Sequence, residues 1–115
     1  MPYEPKPNPM PPLHPHEFRI LLAAVDGPTY GTEIVRVVEE AEGDRTRLYP
    51  AHLFRRIRNL LARGLLEECA PPAGADPRRT YVRLTPVGRA AARAEAIRLR
   101  ELVRAATAHD LMPEG

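Results

Sequence analysis

Three segments with apolar residues at helical spacing, a pair of short alternating stretches around a Pro- and Gly-rich break, and a long alanine-rich run behind Thr85-Pro86 predict a mostly helical α+β fold. Three helices followed by a two-stranded wing is the element order of a winged helix-turn-helix, here extended by a long C-terminal dimerisation helix.

Residues 1–12 hold six prolines, at positions 2, 5, 7, 9, 11 and 12. Proline supplies no backbone donor and fixes φ, so this segment reads as a flexible Pro-rich arm, with a docking ligand as the alternative. From Pro15, Phe18, Leu21, Leu22 and Val25 fall on one helical face, and Asp26-Gly27-Pro28 stops the helix. A second helix carries Ile34, Val37, Val38 and Ala41 and ends at Gly43, which suits a C-terminal cap. After a short extended stretch around Arg47 to Tyr49, Pro50 fits the first position of a third helix with a core stripe of Leu53, Ile57, Leu60 and Leu61, ending at Gly64. Leu65 to Cys69 and Arg78 to Leu84 then form the hairpin around the break at residues 71–77. Thr85 caps a last helix of about 22 residues, on the order of 33 Å long, that runs to about Ala108. The divisions are therefore the arm 1–12, a winged-helix domain 13–84, the C-terminal helix 85–108 and a tail 109–115.

A length of 115 residues bounds the chain to one small domain, and 43% hydrophobic with 28% charged residues is a globular balance. The apolar runs are too short to cross a bilayer, no basic-then-apolar leader opens the sequence, and a single cysteine, Cys69, leaves no intrachain disulfide. A cytoplasmic protein with no membrane partner is expected. Cys69 reads as a structural thiol, with oxidant sensing as the alternative if it is exposed.

The net charge is only +2, but sixteen of the seventeen Lys and Arg residues are arginine, whose fork matches phosphate and guanine. A GC-rich coding composition would also enrich arginine, so placement decides. On the third helix, His52, Arg55, Arg56, Asn59 and Arg63 recur every three or four residues opposite the core stripe, with three arginines and no acid. A face kept only for solubility would mix signs. These five are the candidate recognition-helix contacts to double-stranded DNA. Arg55 and Arg56 can fork to guanine, Asn59 can bridge adenine N6 and N7, and each can instead meet phosphate. Arg78 and Arg79, where the wing tip rejoins its second strand, suit phosphate contact, or else they offset Glu67 and Glu68 across the hairpin. In the last helix Ala92, Ala96, Leu99, Val103 and Ala106, flanked by Leu102, repeat at alternating spacings of four and three, a heptad-like seam for a homodimer. Its early alanines are expected to pack within the domain. A twofold dimer implies an operator that is an inverted repeat.

Four stretches resemble the PadR family of bacterial transcriptional regulators. They are Gly27-Pro28-Thr29-Tyr30-Gly31-Thr32-Glu33-Ile34, Leu48-Tyr49-Pro50-Ala51-His52-Leu53-Phe54-Arg55-Arg56-Ile57, Arg63-Gly64-Leu65-Leu66-Glu67, and Arg78 through Gly88. The resemblance runs from about Leu13 to Arg104 and implies a winged helix dimerised by its C-terminal helix, usually a repressor, sometimes relieved by a small molecule. Where that family has a small polar residue before the proline and Gly-Thr-Leu-Tyr after it, this chain has Tyr49 and then Ala51, His52, Leu53 and Phe54. The departure bears on the target sequence rather than on the fold.

No catalytic, cofactor or metal site is legible. His14, His16, His52 and Cys69 lack compact metal-ligand spacing, and there is no phosphate loop or nucleophile elbow. The effector, if one exists, is unknown. The alternative function is a winged-helix protein–protein interaction module without specific DNA binding, because a fold does not fix a function.

Overall fold

The computed structural model describes residues 10–43 and 50–113. The extended stretch expected at Arg47 to Tyr49 and most of the Pro-rich arm lie outside the described residues.

Helix α1 spans Pro15–Ala23. His14 starts it as half of a capping box: its side chain accepts the His16 N–H, while the Glu17 carboxylate accepts the His14 N–H. The inward face is Ile20, Leu21 and Ala24, all essentially inaccessible, with Phe18 half-buried beside them. Leu22, expected in the core, is 46% exposed, and Val25 is half-buried. The buried stripe is displaced by one position from the expected one.

Strand β1, Thr29–Tyr30, leads directly into α2, Gly31–Glu42. Ile34, Val35 and Val38 of α2 are buried, Val37 is half-buried, and Ala41 is exposed. Helix α3, Pro50–Ala62, buries Leu53, Ile57 and Leu60 as its periodicity requires. Gly64 closes it at φ +77° in a Schellman arrangement, with the Gly64 N–H on Leu61 O at 3.1 Å and the Leu65 N–H on Leu60 O at 3.0 Å. Both Leu60 and Leu65 are buried, as the hydrophobic contact of that motif requires.

Strands β2, Leu66–Cys69, and β3, Tyr81–Leu84, pair antiparallel, with Leu66 opposite Leu84 and Cys69 opposite Tyr81. The sheet has three strands rather than the two of the expected hairpin, in the order β1-β3-β2, because Thr29 and Tyr30 pair with Val82 and Tyr81. Two residues are too short to show alternation in a sequence. Arg78 and Arg79, expected to open the second strand, stand in the turn before it.

Helix α4, Pro86–Ala108, is 23 residues long, so its axis runs about 34 Å. Its start is fixed by one hydroxyl: Thr85 Oγ1 donates to Gly64 O at 2.6 Å and accepts the Gly88 N–H at 2.9 Å. Gly88 lies so close to the α3–β2 turn that a Cβ there would be 2.0 Å from Leu65 O. This contact anchors α4, which packs on α1 and buries Ala91 and Glu95, with Ala92 packed against the core beside them.

Candidate nucleic-acid interface

Burial of Leu53, Ile57 and Leu60 turns the opposite face of α3 outward, and His52, Arg55 and Asn59 are exposed there with Arg56 half-buried. His52, Arg55, Arg56 and Asn59 line one concavity of about 310 Å³, and its remaining wall is Glu17 of α1. Four of the five expected recognition residues thus meet at one place. Arg58, also exposed on α3, extends the positive surface.

The fifth is placed differently. Arg63, just past the end of α3, donates through Nη1 to Glu17 Oε2 at 2.6 Å and to Asn59 Oδ1 at 3.1 Å. Its side chain is 35% exposed and that of Glu17 12%. The pair is a strut between the start of α1 and the end of α3. His14 faces the same corner. Burial, the Arg56 guanidinium and His16 hold its imidazole below the usual 6.5, against an opposing pull from Glu17. Neither His14 nor Glu17 was singled out from the sequence for this surface, because nothing in a linear pattern brings the first turn of α1 beside α3.

At the wing, Arg78 is fully exposed and forked onto Asp76, with its Nε, Nη2 and backbone N–H all donating to that carboxylate. This keeps Asp76 below the usual carboxylate range. Arg79 lies 4.2 Å from the centre of the Tyr30 ring, a cation–π contact, and Tyr30 packs edge-on to Tyr81 at 5.6 Å. Neither arginine offsets Glu67. That role falls to Arg83, directly opposite it in the β2–β3 register, at 2.7 Å. Phe54, in place of the tyrosine of the resembling family, is half-buried against the backbone of Gly31 and joins the core.

On α4, Leu99, Leu102 and Val103 are 40%, 61% and 48% exposed, and Ala96 is exposed with them. Ala106 is half-buried, and Ala92 packs into the domain core. Ile97, which lies outside the heptad-like seam, adds to the exposed apolar surface. The position between Ala92 and Leu99 holds the buried Glu95, which accepts from the Leu13 N–H at 2.9 Å and from Arg98, while Arg98 donates to Met10 O at 3.0 Å. An i, i+3 Glu–Arg pair looks like any exposed helix pair in a sequence. Among the described residues no cluster of three or more His, Cys, Asp or Glu residues could hold a metal ion.

Solved structures share this architecture. A PadR-like transcriptional regulator from Bacillus cereus is 16% identical, with a TM-score of 0.66 over 85% of this chain and 92% of that one. A PadR family transcription regulator from Clostridium difficile is 17% identical, with a TM-score of 0.65 over 82% and 96%. RosR of H. salinarum is 23% identical, with a TM-score of 0.61 over 85% and 93%. At these identities the likeness is one of fold. A comparison with curated protein sequences finds no match. The model of the PadR-like transcriptional regulator family matches residues 20–94, from the buried stripe of α1 through α3 and the wing into α4. That span is more than half of the chain, and the chain belongs to the PadR-like family of transcriptional regulators.

Proposed function

We propose that the chain acts as a homodimeric repressor that reads an inverted-repeat operator in double-stranded DNA. The observation that carries this reading is the cationic concavity on α3, where Arg55, Arg56, His52 and Asn59 stand opposite the buried stripe. A helix so exposed can enter the major groove, with Arg55 or Arg56 forking to guanine and the other held to phosphate. Arg79, braced on Tyr30, and Arg78 extend the positive surface toward the backbone.

The twofold partner is a second copy, seated on α4. Leu99, Leu102, Val103 and Ile97 would otherwise leave an apolar surface in water. Leu99 is continuous with an apolar groove of about 310 Å³ between α1 and α4, lined also by Leu13, Phe18 and Leu22, so a partner helix has a larger surface to bury than the seam alone. Among the described residues no helix is long and apolar enough to cross a membrane, and Cys69 is a free thiol, which accords with a cytoplasmic regulator. No effector is assigned.

The test is fluorescence anisotropy of the full chain against the promoter DNA beside its own gene, titrated at several salt concentrations. Contacts to 6–10 phosphates weaken binding by about 10³- to 10⁵-fold between about 50 and about 200 mM salt. A specific complex with that slope supports the proposal. Absence of a sequence-specific complex at low salt overturns it in favour of a protein-interaction module.

A further inference from the structure

We infer that Asn59 reads DNA as a donor, with its amide turned by the Glu17–Arg63 strut, so that it selects guanine over adenine. The inference rests on the DNA-binding reading above. A free asparagine on a recognition helix meets adenine with its whole fork, the amide NH₂ on N7 and the amide oxygen on the N6 amine. Asn59 does not have that freedom, because its oxygen accepts from Arg63 Nη1 at 3.1 Å. The direction of the amide is fixed by chemistry, since a guanidinium has only donors and the group facing it must be the oxygen.

Arg63 in turn is held by charge. Glu17 Oε2 takes the same Nη1 at 2.6 Å, and Glu17 is itself fixed as the capping-box acid of α1, with Oε1 on the His14 N–H at 2.8 Å. The chain of contacts runs from the backbone of α1 through Glu17 and Arg63 to Asn59, and each link is an ionic or amide contact with one sense. The edge of Asn59 left for the concavity it shares with His52, Arg55 and Arg56 is therefore its NH₂. That edge matches the acceptors N7 and O6 of guanine, whereas the N6 donor of adenine would have to share an oxygen that Arg63 already holds on one lone pair and turns toward α1. Glu17 and Arg63 are positioning residues in this scheme, and Asn59 makes the contact.

Selection from a randomised duplex pool, followed by sequencing, reads this directly. Asn59→Ala marks the position that Asn59 contacts, as the one whose preference it erases. There the full-length wild type is expected to favour guanine over adenine by at least about fivefold, the lower end of a mismatch penalty. Arg63→Met removes the donor at similar length, and its preference at that position should move to adenine while the rest of the selected site is unchanged. Glu17→Gln keeps a side chain that a capping box accepts but loosens the strut, and should shift preference part of the way. It also keeps the test open if Arg63→Met fails to fold, as judged by circular dichroism. An adenine preference in the wild type, or a guanine preference unmoved in the folded variants, overturns the assignment of Asn59. A wild type that enriches no sequence overturns the DNA-binding reading itself.

Discussion

Replacing Gly88 with alanine should be the most damaging single methyl addition in the domain. The new Cβ would stand 2.0 Å from Leu65 O, 2.9 Å from Leu65 C and 2.9 Å from Leu84 Cδ1. Two of these three neighbours are backbone, so no rotamer change relieves the clash. The Leu65 carbonyl is also held in place, because it accepts the Thr85 N–H at 3.1 Å. Relief requires α4 to withdraw by about 1 Å, which strains the Thr85 hydroxyl bonds and opens the core around Ala91. Overpacking costs about 1–3 kcal/mol, with a backbone neighbour placing this case at the upper end, and one lost hydrogen bond adds about 1 kcal/mol, so the total should be about 3–4 kcal/mol. For a domain of this size each kcal/mol lowers Tm by roughly 4–8 °C, which gives a fall of roughly 12 °C or more. Thermal unfolding by circular dichroism at one fixed protein concentration measures it. Gly31→Ala is the control: its Cβ would meet only the Phe54 ring, 2.8 Å from Cε1, a half-buried side chain that can turn. If Gly88→Ala melts within about 4 °C of wild type, the close approach of α4 to the α3–β2 turn is not as described.

Arg55→Ala and Arg56→Ala should leave Tm unchanged, and whichever reads guanine should lose about 1–3 kcal/mol of operator binding, read by anisotropy; unchanged affinity in both would remove α3 as the reader. Arg79→Ala should lower the salt slope by about one while keeping sequence preference, and Arg78→Ala should lower it less, because Asp76 already offsets that charge. The Leu99→Glu, Val103→Glu double variant should sediment as a monomer at micromolar concentration where wild type is a dimer, since an interface cannot bury two uncompensated carboxylates cheaply; a monomeric wild type or a dimeric variant refutes the α4 seam. His14 has a folded pKa below its ordinary 6.5, so the unfolded chain binds the proton more readily than the folded one. Its contribution is therefore intact above about pH 6.5 and declines as the pH falls from there toward the folded value. His14→Asn, a capping residue that does not titrate, should lose less Tm than wild type between about pH 7.5 and about pH 5.5.

The elements with strong periodicity or punctuation were legible in the sequence. Leu53, Ile57 and Leu60 with Gly64 mark α3 and its end, and Thr85-Pro86 marks the start of α4, because each signal is local and each cap is made by a neighbour in sequence. What was not legible depends on distant partners. Strand β1 exists only because Val82 and Tyr81 lie beside it. Arg63 looked like one more cation on the recognition face until α1 brought Glu17 against it. Arg78 and Arg79 looked equivalent, yet one is held by Asp76 two residues away and the other by the Tyr30 ring. In α4 the heptad-like spacing drew attention to Leu99 and Val103 but passed over Glu95, whose burial reflects the backbone of Leu13 rather than any pattern in α4 itself.

That buried carboxylate sets an order on folding. Leu13 and Glu95 are separated by 82 positions, and closing a gap of that length in an open chain costs about 4 kcal/mol of loop entropy. Neither group can be enclosed early, since a buried carboxylate without its donors is far costlier than one in water. Packing of α1, α2 and α3 first would draw the two ends together through nearer contacts and shorten the gap. Docking of α4 onto the segment from Met10 to Leu13 is then the step that completes the domain, and the surface proposed for the partner copy is assembled only when that step is done.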